Sequence, residues 1–154
     1  MELQDFIKEN AVIAGLKVSS KKQLLRELSE EVAKHLSVDE REVFDTLLQR
    51  EKLGSTGVGN GVAIPHGKLK ALDHVFGLLV TLDQPIDFDA PDNGPVDLIF
   101  VLLAPESAGA DHLKALARIA RLVRTGDAAA KLRASRTAAA LYAILAEAEA
   151  EDAA

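Results

Sequence analysis

Arg50-Glu51-Lys52-Leu53-Gly54-Ser55-Thr56-Gly57-Val58-Gly59-Asn60-Gly61-Val62-Ala63-Ile64-Pro65-His66-Gly67-Lys68 sets four glycines, two hydroxyl side chains and an asparagine between an arginine and a histidine, with a fifth glycine just after the histidine. Glycine lets a backbone approach a guest closely and turn its amide N–H groups toward it, so this composition fits a loop around a small, oxygen-rich anion. Two familiar phosphate-binding patterns fail here. A P-loop carries Lys and then Ser or Thr after its last glycine, whereas Gly59 is followed by Asn60 and Gly61. A dinucleotide fingerprint follows a strand and opens a helix, whereas here a helical pattern precedes the glycines and Ile64-Pro65 follows them. Pro65 disfavours helical geometry at Ile64, so the spacing predicts a short strand from Val62 that ends at His66, with Gly67 leaving room beside the imidazole.

Upstream, Leu3 to Ile7 fits one helical turn, and Ala11 to Val18 a short strand bent at Gly15. Ser20 with Gln23 forms a capping-box pattern ahead of Leu24, Leu28, Val32 and Leu36, which predicts an amphipathic helix to about Leu36. Asp39 and Glu42 open a second helix, whose Val43, Phe44, Leu47 and Leu48 form an apolar stripe leading to Arg50. Downstream, Val75 to Leu82 and Val96 to Leu103 are almost continuously apolar, as strands covered on both faces are. The Pro- and Gly-rich stretch 83–95 between them reads as mostly turn. Leu113, Leu116, Ala117, Ala120 and Val123 mark a helix that should stop near Gly126, and shorter helices follow Asp127 and Ser135 or Thr137. The expectation is a layered α/β fold: one domain over residues 1–147, its mixed, mostly buried sheet flanked by helices, and a frayed tail over 148–154.

Composition narrows the function. A chain of 154 residues with 48% hydrophobic content supports one full core. Without cysteine it forms neither disulfides nor thiolate metal sites, which favours a reducing cytoplasm. Acid rather than base near Met1, and apolar runs far shorter than the roughly 20 residues of a span, argue against a signal peptide or membrane insertion. A net charge of -6 disfavours nonspecific nucleic-acid binding, which depends on Lys and Arg displacing counterions. A metal-dependent hydrolase built on His66, His112 and Asp111 lacks the HExxH or paired-carboxylate spacing of such sites. His35 and His74 lie outside any motif and read as surface residues.

The run 50–68 resembles the active-site signature of the enzyme IIA family of the phosphoenolpyruvate-dependent phosphotransferase system, in the branch of fructose-, mannitol- and nitrogen-type proteins. Ser20-Lys21-Lys22, Phe88-Asp89-Ala90, the segment 92–98 and Asp111-His112-Leu113 extend the likeness over essentially the whole chain. His66-Gly67-Lys68 and the segment 92–98 are most similar to the nitrogen type. The resemblance implies that His66 accepts a phosphoryl group from an HPr-like phosphohistidine carrier, that His112 is the second active-site histidine, and that no cofactor or metal takes part. It implies regulated target proteins of the potassium-transport or sensor-kinase kind; the competing reading is a sugar-transport component that passes phosphate to a IIB cysteine.

The chemistry of the residues agrees. Neutral imidazole is a nucleophile with an ordinary pKa of about 6.5, and transfer between two histidines demands positioning and charge stabilisation. Arg50 can fork onto phosphoryl oxygens. Ser55, Thr56, Gly57, Gly59, Asn60 and Gly61 are candidate phosphate contacts through hydroxyls and amides, and Lys68 adds positive potential.

Overall fold

Two apolar strands carry the architecture. In a computed structural model that describes residues 1–124 and 127–153, the elements run α1 (Leu3–Phe6), a 3-10 turn (Glu9–Ala11), β1 (Val12–Leu16), α2 (Lys21–Leu36), α3 (Glu40–Lys52), β2 (Gly57–Gly59), β3 (Val62–Ala63), β4 (His66–Leu69), β5 (Phe76–Ile86), β6 (Val96–Pro105), α4 (Ala110–Arg124), α5 (Ala128–Ala134) and α6 (Ala138–Ala153). β5 and β6 pair antiparallel at the centre, from Phe76 opposite Leu103 to Thr81 opposite Leu98. The sheet order is β1-β5-β6-β3-β2, with β4 also on β6. β1 runs parallel to β5, and β3 and β4 parallel to β6, so the sheet is mixed. No helix among the described residues is long and apolar enough to cross a membrane.

Alternation along β6 divides the core. Ile99, Val101 and Leu103 pack with Leu24, Leu28, Val43 and Leu47 of α2 and α3. Leu98, Phe100 and Leu102 face the other way, onto Phe6, Ala115, Ile119, Leu141 and Leu145. Covering both faces is what makes these strands continuously apolar instead of alternating. At the start of α2, Ser20 Oγ accepts from the Gln23 amide at 3.1 Å, and Gln23 Oε1 accepts from the Ser19 amide at 2.8 Å. The reciprocal bond is thus displaced by one residue from the simple capping box.

Several expectations change. β5 continues through Pro85 to Ile86, which pairs with Val96. β1 leaves β5 at Leu82, so the strand beyond it has a free flank where a proline without an N–H is tolerated. The strand from Val62 does not end at His66: Val62 lies opposite Leu98 and His66 opposite Leu102, one unbroken register against β6 interrupted only at Ile64-Pro65. Residues 148–150, read from the sequence as tail, continue α6. Buried Glu149 there accepts from the Leu3 amide at 2.5 Å and pairs with Arg118, a long-range anchor that a stretch of alanines and acids does not advertise. The expected stop at Gly126 lies outside the described residues. His74 is exposed as read, but His35 is half-buried, its ring centroid 5.6 Å from that of Phe76.

One glycine controls how α3 meets the sheet. A Cβ on Gly67 would lie 2.6 Å from Thr46 Cγ2, so α3 rests directly on β4 backbone, and Arg50 follows Thr46 by one helical turn. Gly67→Ala should therefore destabilise the protein by about 1–3 kcal/mol through overpacking. Thr46→Ser, which removes the opposing methyl, should recover part of that loss; urea unfolding of the two single variants and the double variant measures both.

Candidate functional site

His66 shares the sheet face of Val62 and Ile64, the α4 side, while Gly67 meets α3 on the other. Among the described residues β4 pairs only with β6, so its outer flank is open and Arg50, at the last turn of α3, reaches round to the imidazole. Arg50 Nε donates to His66 Nε2 at 3.3 Å, and its Nη1 donates to the Gly54 carbonyl at 2.9 Å. His66 Nδ1 lies 2.7 Å from the Ile64 carbonyl oxygen. A carbonyl only accepts, so Nδ1 carries the proton and the lone pair is left on Nε2, facing Arg50. The His66 pKa is lowered, chiefly by burial; the Ile64 carbonyl opposes this, the Arg50 charge adds to it, and Glu51 opposes it.

His112, in the first turn of α4, is 8% exposed, and its ring centroid is 5.7 Å from that of His66 with the planes at 52°. Its pKa is lowered too, first by burial and then by His66 and Lys68. Its buried Nδ1 makes no hydrogen bond. Leaving such a group unsatisfied costs about 1–3 kcal/mol. Leu113, expected on the apolar stripe of this helix, is 65% exposed; His112, Ala115, Ile119 and Leu122 form the buried face. Arg50, His66, His112 and Lys68 thus gather into a cationic patch around two imidazoles of lowered pKa, on a chain that is acidic overall.

The other candidates are otherwise engaged. Ser55 Oγ donates to the Phe88 carbonyl at 2.9 Å and accepts from the Gly57 amide at 3.1 Å. The Thr56 amide donates to Glu51 Oε1 at 3.0 Å, and its hydroxyl to Glu51 Oε2. Gly57 packs on Ala90, where a Cβ would come within 2.9 Å. Gly59, Asn60 and Gly61 form the tip of a hairpin between β2 and β3, with φ of 56° at Asn60 and 79° at Gly61. Positive φ at both central positions is the primed turn that Asn-Gly favours. The Asn60 amide donates to Asp92 Oδ2 at 3.2 Å, holding that carboxyl below its usual pKa behind the larger effect of the Gly94 amide. The Asn60 carbonyl accepts from Arg133, which also donates to Asp97 at 2.8 Å. Gly59, Asn60 and Gly61 therefore build a hairpin tied to Asp92 and Arg133.

Two contributors were missed in the sequence. The Ile64 carbonyl selects the His66 tautomer, and no side-chain pattern announces it. Glu51 was legible: Val43, Leu47 and Glu51 recur every four residues along the buried face of α3, so a carboxylate occupies a core position. Among the described residues no group of three or more His, Asp or Glu side chains converges as a metal ion would require.

A family model described as "Phosphoenolpyruvate-dependent sugar phosphotransferase system, EIIA 2" matches residues 5–148. A nitrogen regulatory protein of Bradyrhizobium diazoefficiens is 60% identical over 146 residues, covering 95% of each chain. The crystal structure of nitrogen regulatory protein IIA-Ntr from Neisseria meningitidis superposes with a TM-score of 0.87 at 36% identity, covering 93% of this chain and 98% of that one. A fructose-specific EIIA component of Haloferax volcanii is 37% identical over 111 residues, 71% of this chain and 72% of that protein.

The lowered pKa values make a solution prediction. Both imidazoles should titrate below about 6.5 in an NMR pH series; a midpoint at or above it for His66 would contradict the geometry. Below about pH 6.5 the unfolded chain takes up protons that the folded one refuses, so stability present above that pH falls as the solution is acidified toward the folded-state values.

Proposed function

This chain belongs to the EIIA 2 family of the phosphoenolpyruvate-dependent sugar phosphotransferase system, and from that membership we propose that it is a nitrogen-type regulatory phosphocarrier whose His66 accepts a phosphoryl group from an HPr-like phosphohistidine carrier. The observation that carries this reading is the His66 ring itself: Nδ1 held on the Ile64 carbonyl, Nε2 neutral and facing Arg50.

In the proposed step, the Nε2 lone pair bonds to phosphorus as the donor's P–N bond breaks, and the donor imidazole leaves with that bond's electron pair. No proton leaves His66. Positive charge developing on the ring is stabilised by the Ile64 carbonyl, the larger of the influences that oppose the lowered pKa. Arg50 exchanges its bond to Nε2 for phosphoryl oxygens, and His112 and Lys68 meet the same anion from the other side. Ser55, Thr56 and Gly57 act from behind by shaping the start of the hairpin.

Phosphorylation adds a charge of roughly -1.5 to -2 to a patch that was cationic, which is a sufficient basis for target proteins to distinguish the two forms. Potassium-transport or sensor-kinase components are the proposed kind of target. The higher similarity to nitrogen regulatory proteins favours this over sugar transport, while the fructose-specific relative keeps the second reading specific: transfer to a IIB cysteine. Rapid loss of phosphate to a IIB domain, with no difference in target binding between forms, would favour transport.

His66→Ala should abolish phosphorylation by the charged carrier, as read by intact mass, and a phosphorylated His66→Ala protein would refute the assignment. His112→Ala should leave His66 an acceptor but slow transfer on the order of 10²-fold, as expected for one lost transition-state donor.

A further inference from the structure

Arg50 and His66 come from separate segments on opposite faces of the sheet, and packing alone does not hold a guanidinium within hydrogen-bond distance of one nitrogen of a ring. A continuous chain of bonds joins them. Glu51, next to Arg50 on α3, has a side chain only 3% exposed. Its carboxylate receives the Thr56 amide at 3.0 Å, the Thr56 hydroxyl, and Lys21 Nζ at 3.0 Å. Lys21 is itself held over the Phe88 ring, 4.3 Å from the centroid. The Thr56 carbonyl then accepts from the Ile64 amide at 3.0 Å, and the Ile64 carbonyl accepts from His66 Nδ1.

A buried carboxylate requires a reason to be retained, because removing it from water is costly unless every lone pair is used. Here three donors use it, and two of them belong to one residue, so Thr56 has little freedom to translate or rotate relative to α3. Peptide units transmit that constraint to Ile64 and polarise successive bonds along the way.

We propose that Glu51 is a positioning residue: by clamping Thr56 to the end of α3 it sets where the Ile64 carbonyl stands, and so holds His66 with Nδ1 protonated and Nε2 against Arg50. Lys21 neutralises the clamp, and Glu51 touches no reacting atom. The kinetic half of this inference rests on the phosphocarrier reading; the tautomer half does not.

The experiment compares Glu51→Ala and Glu51→Gln with the native protein. The glutamine can still accept from the Thr56 amide and donate to its hydroxyl, so it keeps the clamp without the charge. Nitrogen-15 NMR of the histidine rings should show a single Nδ1–H tautomer for His66 in the native protein and in Glu51→Gln, and a mixture in Glu51→Ala. With a phosphorylated HPr-like carrier, Glu51→Ala should lose on the order of 10²-fold in kcat, as misplacement by about an ångström does, with KM for the carrier little changed, and Glu51→Gln should recover most of it. If Glu51→Ala does not fold, as judged by circular dichroism, Thr56→Val provides the same two readouts with one clamp bond removed and a smaller loss expected. A folded Glu51→Ala protein with an unmixed His66 tautomer and native kcat would overturn the proposal. A native protein that fails to take up phosphate at all would overturn the phosphocarrier reading, and the tautomer comparison would still decide the role of Glu51.

Discussion

The hydrogen bond from His66 Nδ1 to the Ile64 carbonyl, 2.7 Å long and made two residues back along the same strand, decides which ring nitrogen is available for chemistry. Everything around the site is arranged about that choice. Pro65 keeps the chain extended between the two residues, β6 fixes the register of both, and the open flank of β4 lets a side chain from α3 reach the nitrogen left free. A ring held through its other nitrogen would present a different atom to Arg50 and to any partner.

Charge follows from burial here. His66 and His112 are partly desolvated and lie beside Arg50 and Lys68, so both rings are biased toward the neutral form. Two permanent cations next to two neutral rings make a patch that favours an anion, on a chain whose net charge of -6 would otherwise disfavour one. Leu53, 84% exposed at the end of α3, and Leu113, 65% exposed beside His112, border the patch with apolar surface. Under the phosphocarrier proposal, such exposed apolar side chains would suit a surface that meets another protein.

The glycine-rich stretch illustrates how one composition supports two readings. Close backbone approach and hairpin turning both demand glycine, and the sequence alone ranks the anion loop first because a histidine follows. Asn60-Gly61 flanked by Val58 and Val62 was equally a hairpin signal, and tertiary partners selected it: Asp92, Asp97 and Arg133 come from segments more than thirty residues away and occupy the tip. Gly57 and Gly67 are needed for yet another reason, since Ala90 and Thr46 leave no space for a methyl group.

By itself the sequence determined the doubly covered sheet, the family and most element types, and it singled out His66, His112 and Arg50 as candidates, because apolar periodicity, caps and a dense local motif are short-range information. The tertiary structure decided the rest: that β5 crosses Pro85, that α6 is anchored through Glu149, that the glycines make a hairpin, and that Glu51, Thr56 and the Ile64 carbonyl form a hydrogen-bonded path to the His66 ring. These depend on which groups meet across the sheet. A carboxylate or a carbonyl reads the same in sequence whether it faces water or holds a ring in place, and only the fold distinguishes the two.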